Sequence, residues 1–252
     1  MGRGVCLNSF LVAALVAILL PNAVYSAQLI NSWSFSNNLN DNVGSATLQS
    51  VSPQQKWIYT SDRYCNPSSA VYFAQDYLQA PPGVYFDGGD YSFNTWIWTN
   101  SLRSWQRIFD FGNNQQDRKE NVILAFYETS FKICAEINTP LPRLYMDDNL
   151  FQLKQWNMIT FVLNGTQGYI YLNVQQVKTG GLNPPQNITR NFNYFGKSKF
   201  AHDGYLDAIL DEIELHKGAL SASDIQSKYQ AASQGIYFFN FSIHFSLYLL
   251  KI

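Results

Sequence analysis

The stretch from Ser104 to Gly112, read W-Q-R-I-F-D-F-G after its first serine, constrains this chain more than any other. Trp105, Arg107, Phe109 and Phe111 share one parity, and Gln106, Ile108 and Asp110 share the other. Successive side chains of a strand point to opposite faces, so this alternation gives both faces large apolar groups, as expected of a strand inside a two-layer sandwich. Arg107 and Asp110 interrupt the apolar pattern. An ion pair tying the strand to its following turn accounts for them, because nothing nearby supplies a nucleophile with its base.

All-β sandwiches of roughly 200 residues commonly form one domain, and a single domain is the expectation for this chain of 252 residues. Its net charge is −1, with only 14% charged residues, so there is no basic stripe of the kind nucleic-acid binders carry, and nucleic acid is excluded as a partner.

Residues 1–26 have the organisation of a secretory signal: Arg3 at the positive start, an apolar core from Phe10 to Leu20, and compact residues Val24, Tyr25 and Ser26 before the cut. The apolar core is about half the ~20 residues of a membrane helix. Cleavage after Ser26 removes Cys6 and leaves Cys65 and Cys134 in a chain bound for an oxidising compartment, where a bridge between them is expected. Closing that loop would contribute about 4 kcal/mol through the unfolded state. In the segment Phe131 to Ile137, Cys134 lies on the parity of Lys132 and Glu136 and so is expected to face outward.

The remaining elements follow in order. Leu29 to Phe35 alternates as a strand with Trp33 and Phe35 on one face, and a turn-rich loop carrying Asp41 comes next. Gln54 to Ser69 is irregular. In Gly89 to Trp98, Tyr91, Phe93, Thr95 and Ile97 share one face, opposite Ser92, Asn94, Trp96 and Trp98. Hairpins are expected at 121–137 and 156–174. Ser221 caps a closing helix, with Asp224 in its first turn and Leu220 against Ile225 as a hydrophobic staple.

Taken together, W-Q-R-I-F-D-F-G, the opening W-S-F strand, G-D-Y-S-F-N-T-W, N-Y-F-G-K-S, L-D-E-I-E-L and the A-L-S ending resemble the laminin-G-like branch of the concanavalin A-like lectin and glucanase superfamily. The resemblance spans roughly Leu29 to Tyr229. It implies an all-β fold, a two-sheet antiparallel jelly-roll sandwich with a short C-terminal helix, occupying residues 28–230. Two departures matter. Ala74 and Gln75 replace the Asp-Gly usual in relatives, and Val174 replaces a glycine, which argues against a type I′ turn at Asn173 and Val174 because a β-branched residue is unsuited to positive φ.

Trp98 stands where relatives often have a polar residue, so it is the candidate ligand-binding residue, able to stack on a sugar ring or anchor a protein partner; packing under a loop is the competing explanation. Asp41 and Asp211 match positions where laminin-G-like domains can hold structural Ca²⁺, with turn formation and a hydrogen-bonded bulge as alternatives. Glucanases of this shape carry alternate carboxylates on one strand face. Here only Glu212 and Glu214 share a parity while Asp211 opposes them, so the resemblance implies a binding module and no enzyme. His202, His216 and His244 lack ligand spacing for zinc. Asn164 and Asn187 begin glycosylation sequons in a turn and a loop, and Asn240 begins a third.

Residues 236–252 form an apolar, polar-interrupted tail with three open readings: a membrane segment, a lipid-anchor signal lacking a full spacer, or translated non-coding sequence. The sequence therefore supports a secreted protein, surface-anchored only through that tail. Its partner is an extracellular glycan or protein met through the sheet face or rim loops. A structural or adhesive protein without a small-molecule site is the alternative, and a divergent hydrolase a more distant one.

Overall fold

A computed structural model describes residues 27–51, 58–113, 120–137, 142–147 and 150–232. The signal segment 1–26, the tail 236–252, Asn240 and His244 lie outside them. The strands, in chain order, are β1 (Gln28–Trp33), β2 (Gln49–Val51), β3 (Ile58–Thr60), β4 (Ala70–Phe73), β5 (Tyr77–Ala80), β6 (Tyr91–Thr99), β7 (Arg107–Gly112), β8 (Val122–Phe126), β9 (Ile133–Ile137), β10 (Arg143–Tyr145), β11 (Trp156–Asn164), β12 (Gln167–Leu172), β13 (Gln175–Gly181), β14 (Phe192–Phe195) and β15 (Ala208–Lys217). A helix, α1, spans residues 222–232.

The strands form two antiparallel sheets, a jelly-roll sandwich. One has the order β13-β12-β11-β6-β15-β4-β3, with β1 also paired to β15; the other runs β10-β9-β8-β7-β14-β5-β2. β15 is long enough to serve two partners along one edge. Its first residues pair with β4 and its last with β1, while β6 lies along the other edge. Between the sheets sits an aromatic core in which Trp33, Phe73, Phe93, Phe109, Phe111 and Phe195 are all buried. Edge-to-face contacts such as Phe111 to Phe195, with centroids 5.2 Å apart, set its packing.

The face assignment of β6 follows its alternation. Tyr91, Phe93 and Ile97 enter the core, whereas Trp96 joins a second cluster with Leu220 and Ile225 under α1. That helix starts as its sequence dictates. Ser221 Oγ accepts from the Asp224 amide at 3.1 Å, and the Asp224 carboxylate accepts from the Ser221 amide at 2.8 Å, closing a reciprocal capping box.

Simple alternation fails in β7. A bulge between Arg107 and Phe109 sets Arg107 opposite Ala125 and Phe109 opposite Leu124, so Ile108, Phe109 and Phe111 all enter the core. Only one face of this strand is apolar, contrary to the sequence expectation. The outer face holds Arg107 and Asp110, with Nε and Oδ2 3.7 Å apart. The segment after β14 covers that pair: Asp203 lies 2.8 Å from Arg107, and Lys199 Nζ lies 3.3 Å from Asp110. Gly112 makes room for this network, since a Cβ there would stand 2.0 Å from Lys199 Nζ.

Two further expectations are corrected, and a third, on the β12–β13 turn, holds. The irregular stretch 54–69 contains strand β3. Cys134 points to the outer side of its sheet but is buried there, beside Ala125 of β8 and Tyr145 of β10, and it is a free thiol, so the bridge to Cys65 is not formed. Cys65 sits in the β3–β4 hairpin of the opposite sheet, which places the sandwich between the two. Burial, with Glu136 beside it, pushes the Cys134 thiol well above its ordinary range. At the β12–β13 turn, Asn173 adopts φ 58° and Val174 stays out of the left-handed region, so no type I′ turn forms.

Candidate functional site

The outer face of the first sheet carries the candidate site, and a second bulge builds it. Between Asp211 and Glu214, β15 shifts register against β6, with Glu212 at φ 47°. Asp211 is then opposite Trp96, Glu214 opposite Asn94 and His216 opposite Ser92. All three lie on the outer face. The sequence parity that set Asp211 against Glu214 is thereby overturned, because one inserted residue reverses the alternation.

One row of this face is aromatic. Trp156 pairs with Trp98, Trp98 with Ile209, and Ile209 with Tyr72, so one apolar side chain from each of β11, β6, β15 and β4 lies side by side. All four are half-buried. The two indoles meet edge to face with centroids 6.1 Å apart, and the Tyr72 hydroxyl donates to Asp207 at 3.1 Å. Trp98 is thus neither a core residue nor fully exposed. It is a braced ring in an open row.

The adjoining rows are polar and roofed by α1. A cleft of about 250 Å³ is lined by Arg63, Tyr64, Asn94, Trp96, Glu212, Glu214 and Lys228. Arg63, from the β3–β4 hairpin, pairs with Asp211 and, at 2.7 Å, with Glu212. Its guanidinium also lies over Tyr64 and Trp96, 4.3 and 4.7 Å from their centroids. Burial opposes the Arg63 charge, but Glu212 and Asp211 outweigh it and raise its pKa. Burial holds the Asp211 carboxyl above the usual carboxylate range, with Arg63 pulling the other way. For Glu214 burial again opposes the charge, yet His216 at 3.3 Å and Lys228 at 2.7 Å pull its pKa down. Lys228 belongs to α1, so this pair clips the helix to the sheet.

The two aspartates proposed for calcium take different partners. Asp41 accepts from the amides of Ser32, Val43, Gly44 and Ala46 and from the Asn31 side chain, at 2.6–3.1 Å. Burial works against its charge, and these donors still lower its pKa. The oxygens of Asp41 are thus ringed by N–H donors while Asp211 is held by Arg63, so the two aspartates face separate partners. Among the described residues no group of three or more His, Cys, Asp or Glu side chains could hold a metal ion. Asn164 and Asn187 are exposed, in the β11–β12 hairpin and the loop before β14. Arg63 was not singled out by the sequence, since its partners lie 148 and 149 positions away.

An antiparallel jelly roll with this helix-roofed outer face defines a lectin-like class of protein. Residues 73–226 match the family described as the concanavalin A-like lectin/glucanases superfamily, and the chain belongs to it. No curated protein matches the sequence. Among solved structures, the chain is similar to domain 4 of AbnA, an extracellular GH43 arabinanase from Geobacillus stearothermophilus, in complex with arabinotriose. That match has 17% identity and a TM-score of 0.61, over 80% of this chain and 98% of that one. The binding domain of botulinum neurotoxin serotype D is similar at 14% identity and a TM-score of 0.62, over 81% of this chain and 52% of that one. At these identities the likeness is one of fold. No helix among the described residues is long and apolar enough to cross a membrane.

Proposed function

We propose that this protein is a secreted, non-catalytic recognition module, folded over residues 28–230 after removal of residues 1–26, that binds glycan through the outer face of its first sheet. The observation that carries the reading is the row Trp156, Trp98, Ile209 and Tyr72, half-exposed and contiguous across four strands. The apolar face of a sugar ring stacks on such rings, at roughly 1 kcal/mol per contact, which gives weak binding strengthened by avidity. The arabinotriose bound to domain 4 of AbnA is consistent with a saccharide ligand. Against hydrolysis stands the engagement of the acids: Asp211 and Glu212 face Arg63, and Glu214 faces Lys228 and His216, whereas glycosidases need a carboxyl pair flanking the scissile bond. Glycans at Asn164 and Asn187 would project from loops away from this row.

A glycan array probed with the wild type and Trp98→Ala tests the proposal. The expected result is saccharide binding weakened about tenfold in the variant, with a melting temperature within a few degrees of wild type. Equal binding by both proteins refutes the role of the row. A stability loss of roughly 3 kcal/mol or more would mean that the indole acts as core.

A further inference from the structure

The second sheet carries an arrangement that the aromatic row does not explain. Tyr77 and Gln79 of β5 and Phe192 and Tyr194 of β14 share its outer face, since Tyr194 pairs with Gln79. The Tyr77 and Tyr194 rings meet edge to face at 5.2 Å, and Tyr205 lies 6.4 Å from Tyr77. Gly196, at φ 82°, turns the chain immediately after β14, and the Leu206 amide donates to the Gly196 carbonyl at 2.9 Å, which brings Tyr205 beside the turn. The ammonium of Lys197 thus comes to lie 4.2, 5.3 and 6.0 Å from the centroids of Tyr77, Tyr194 and Tyr205.

The chemistry of this cluster is unusual for a lysine. Burial is what lowers the Lys197 pKa. Among the described residues it takes part in no ion pair, whereas Lys199, two residues on, is tied to Asp110 and Asn121. A half-buried cation on aromatic rings, with no ion-pair partner among the described residues, fits a ligand that brings an anion. The flanking rings, of which Tyr77, Tyr205 and Phe192 are half-buried, supply flat faces for a pyranose.

We infer that Lys197 with Tyr77, Tyr194 and Tyr205 forms a second binding site, on the opposite sheet from Trp98, for a carboxylated saccharide such as a uronic or sialic acid residue. The carboxylate pairs with the Lys197 ammonium while the sugar ring lies on Tyr77 and Tyr205, which Tyr194 braces from below. This inference stands apart from the proposal for the first sheet, because it uses none of the same residues.

Calorimetric titration of the full chain with trigalacturonate and with 3′-sialyllactose tests it. At least one of the two should bind, and its methyl ester should bind about tenfold more weakly, the factor expected when a charge-assisted contact is lost. Lys197→Met, which keeps the stem among the rings, should weaken binding of the acid by about the same factor, and Trp98→Ala should leave it unchanged. The ester reads the contact on unaltered protein, so the test survives a variant that folds poorly. Failure of both acids to bind, equal binding of acid and ester, or full binding by a folded Lys197→Met variant would overturn the inference. Loss of acid binding in Trp98→Ala would overturn it too, by moving the saccharide to the first sheet.

Discussion

Replacing Arg63 by methionine should expose how the outer face is held together. The guanidinium is 4% exposed and faces Asp211, 3% exposed, and Glu212, 46% exposed. Glu212 can return to water when its partner is removed, and exposed pairs contribute little. Asp211 cannot. Breaking a buried pair from one side costs about 3–5 kcal/mol where the remaining group stays charged, and for a domain of this size that lowers the melting temperature by roughly 6–20 °C. The pH dependence follows from the carboxyl that remains. Burial already raises the Asp211 pKa above its unfolded value of 3.8, and Arg63 opposes that rise, so its loss raises the pKa further. A raised carboxyl pKa means that the native state holds the proton more tightly, so the contribution to stability is present below the unfolded value and falls as pH rises toward the folded value. Urea unfolding at about pH 5 and about pH 8 should therefore show a larger deficit at the higher pH, and Asp211→Asn added to Arg63→Met should recover most of it. A deficit below about 1 kcal/mol, or one independent of pH, would refute a buried, Arg63-compensated Asp211.

Two smaller changes test local geometry. Ser221→Ala removes the acceptor for the Asp224 amide and should cost about 1 kcal/mol in chemical denaturation, with fraying of α1 visible in amide exchange. Gln75 is exposed and adopts φ 132°, so Gln75→Gly should relieve about 1–3 kcal/mol of backbone strain against about 0.5–1 kcal/mol of added chain entropy, a net rise in stability on thermal unfolding.

Much of the architecture was legible because it depends on local alternation and capping. The two faces of β6 and the capping box of α1 could be read from neighbouring residues alone. What could not be read came from single inserted residues. The bulges at Ile108 and Glu212 reverse parity within their strands, and neither carries the glycine that would have signalled a left-handed turn, since Glu212 itself takes φ 47°. Cys134 shows a related limit. Its outward parity was correct, but outward does not mean exposed when Tyr145 of β10 and Ala125 of β8 flank it. Trp98 was legible as an anomalous indole. Arg63 and the Lys197 cluster were not, because each is assembled from segments far apart in the chain.

The bulge in β15 also explains how the acids and the aromatics divide the outer face between them. By turning Asp211 and Glu214 to the same side, it gives the sheet two anchors: Arg63 draws the β3–β4 hairpin onto Asp211, and Lys228 draws α1 onto Glu214. Those two elements cover Trp96, whose ring stacks on Tyr229 at 5.5 Å and lies under Arg63. The cover ends at that row. One step along, Trp98 has Trp156 and Ile209 as neighbours and stays half-open, because no carboxylate in that row draws a cationic element over it. The carboxylates on either side of the bulge are engaged in fixing the roof, and the aromatic row lies beyond its edge.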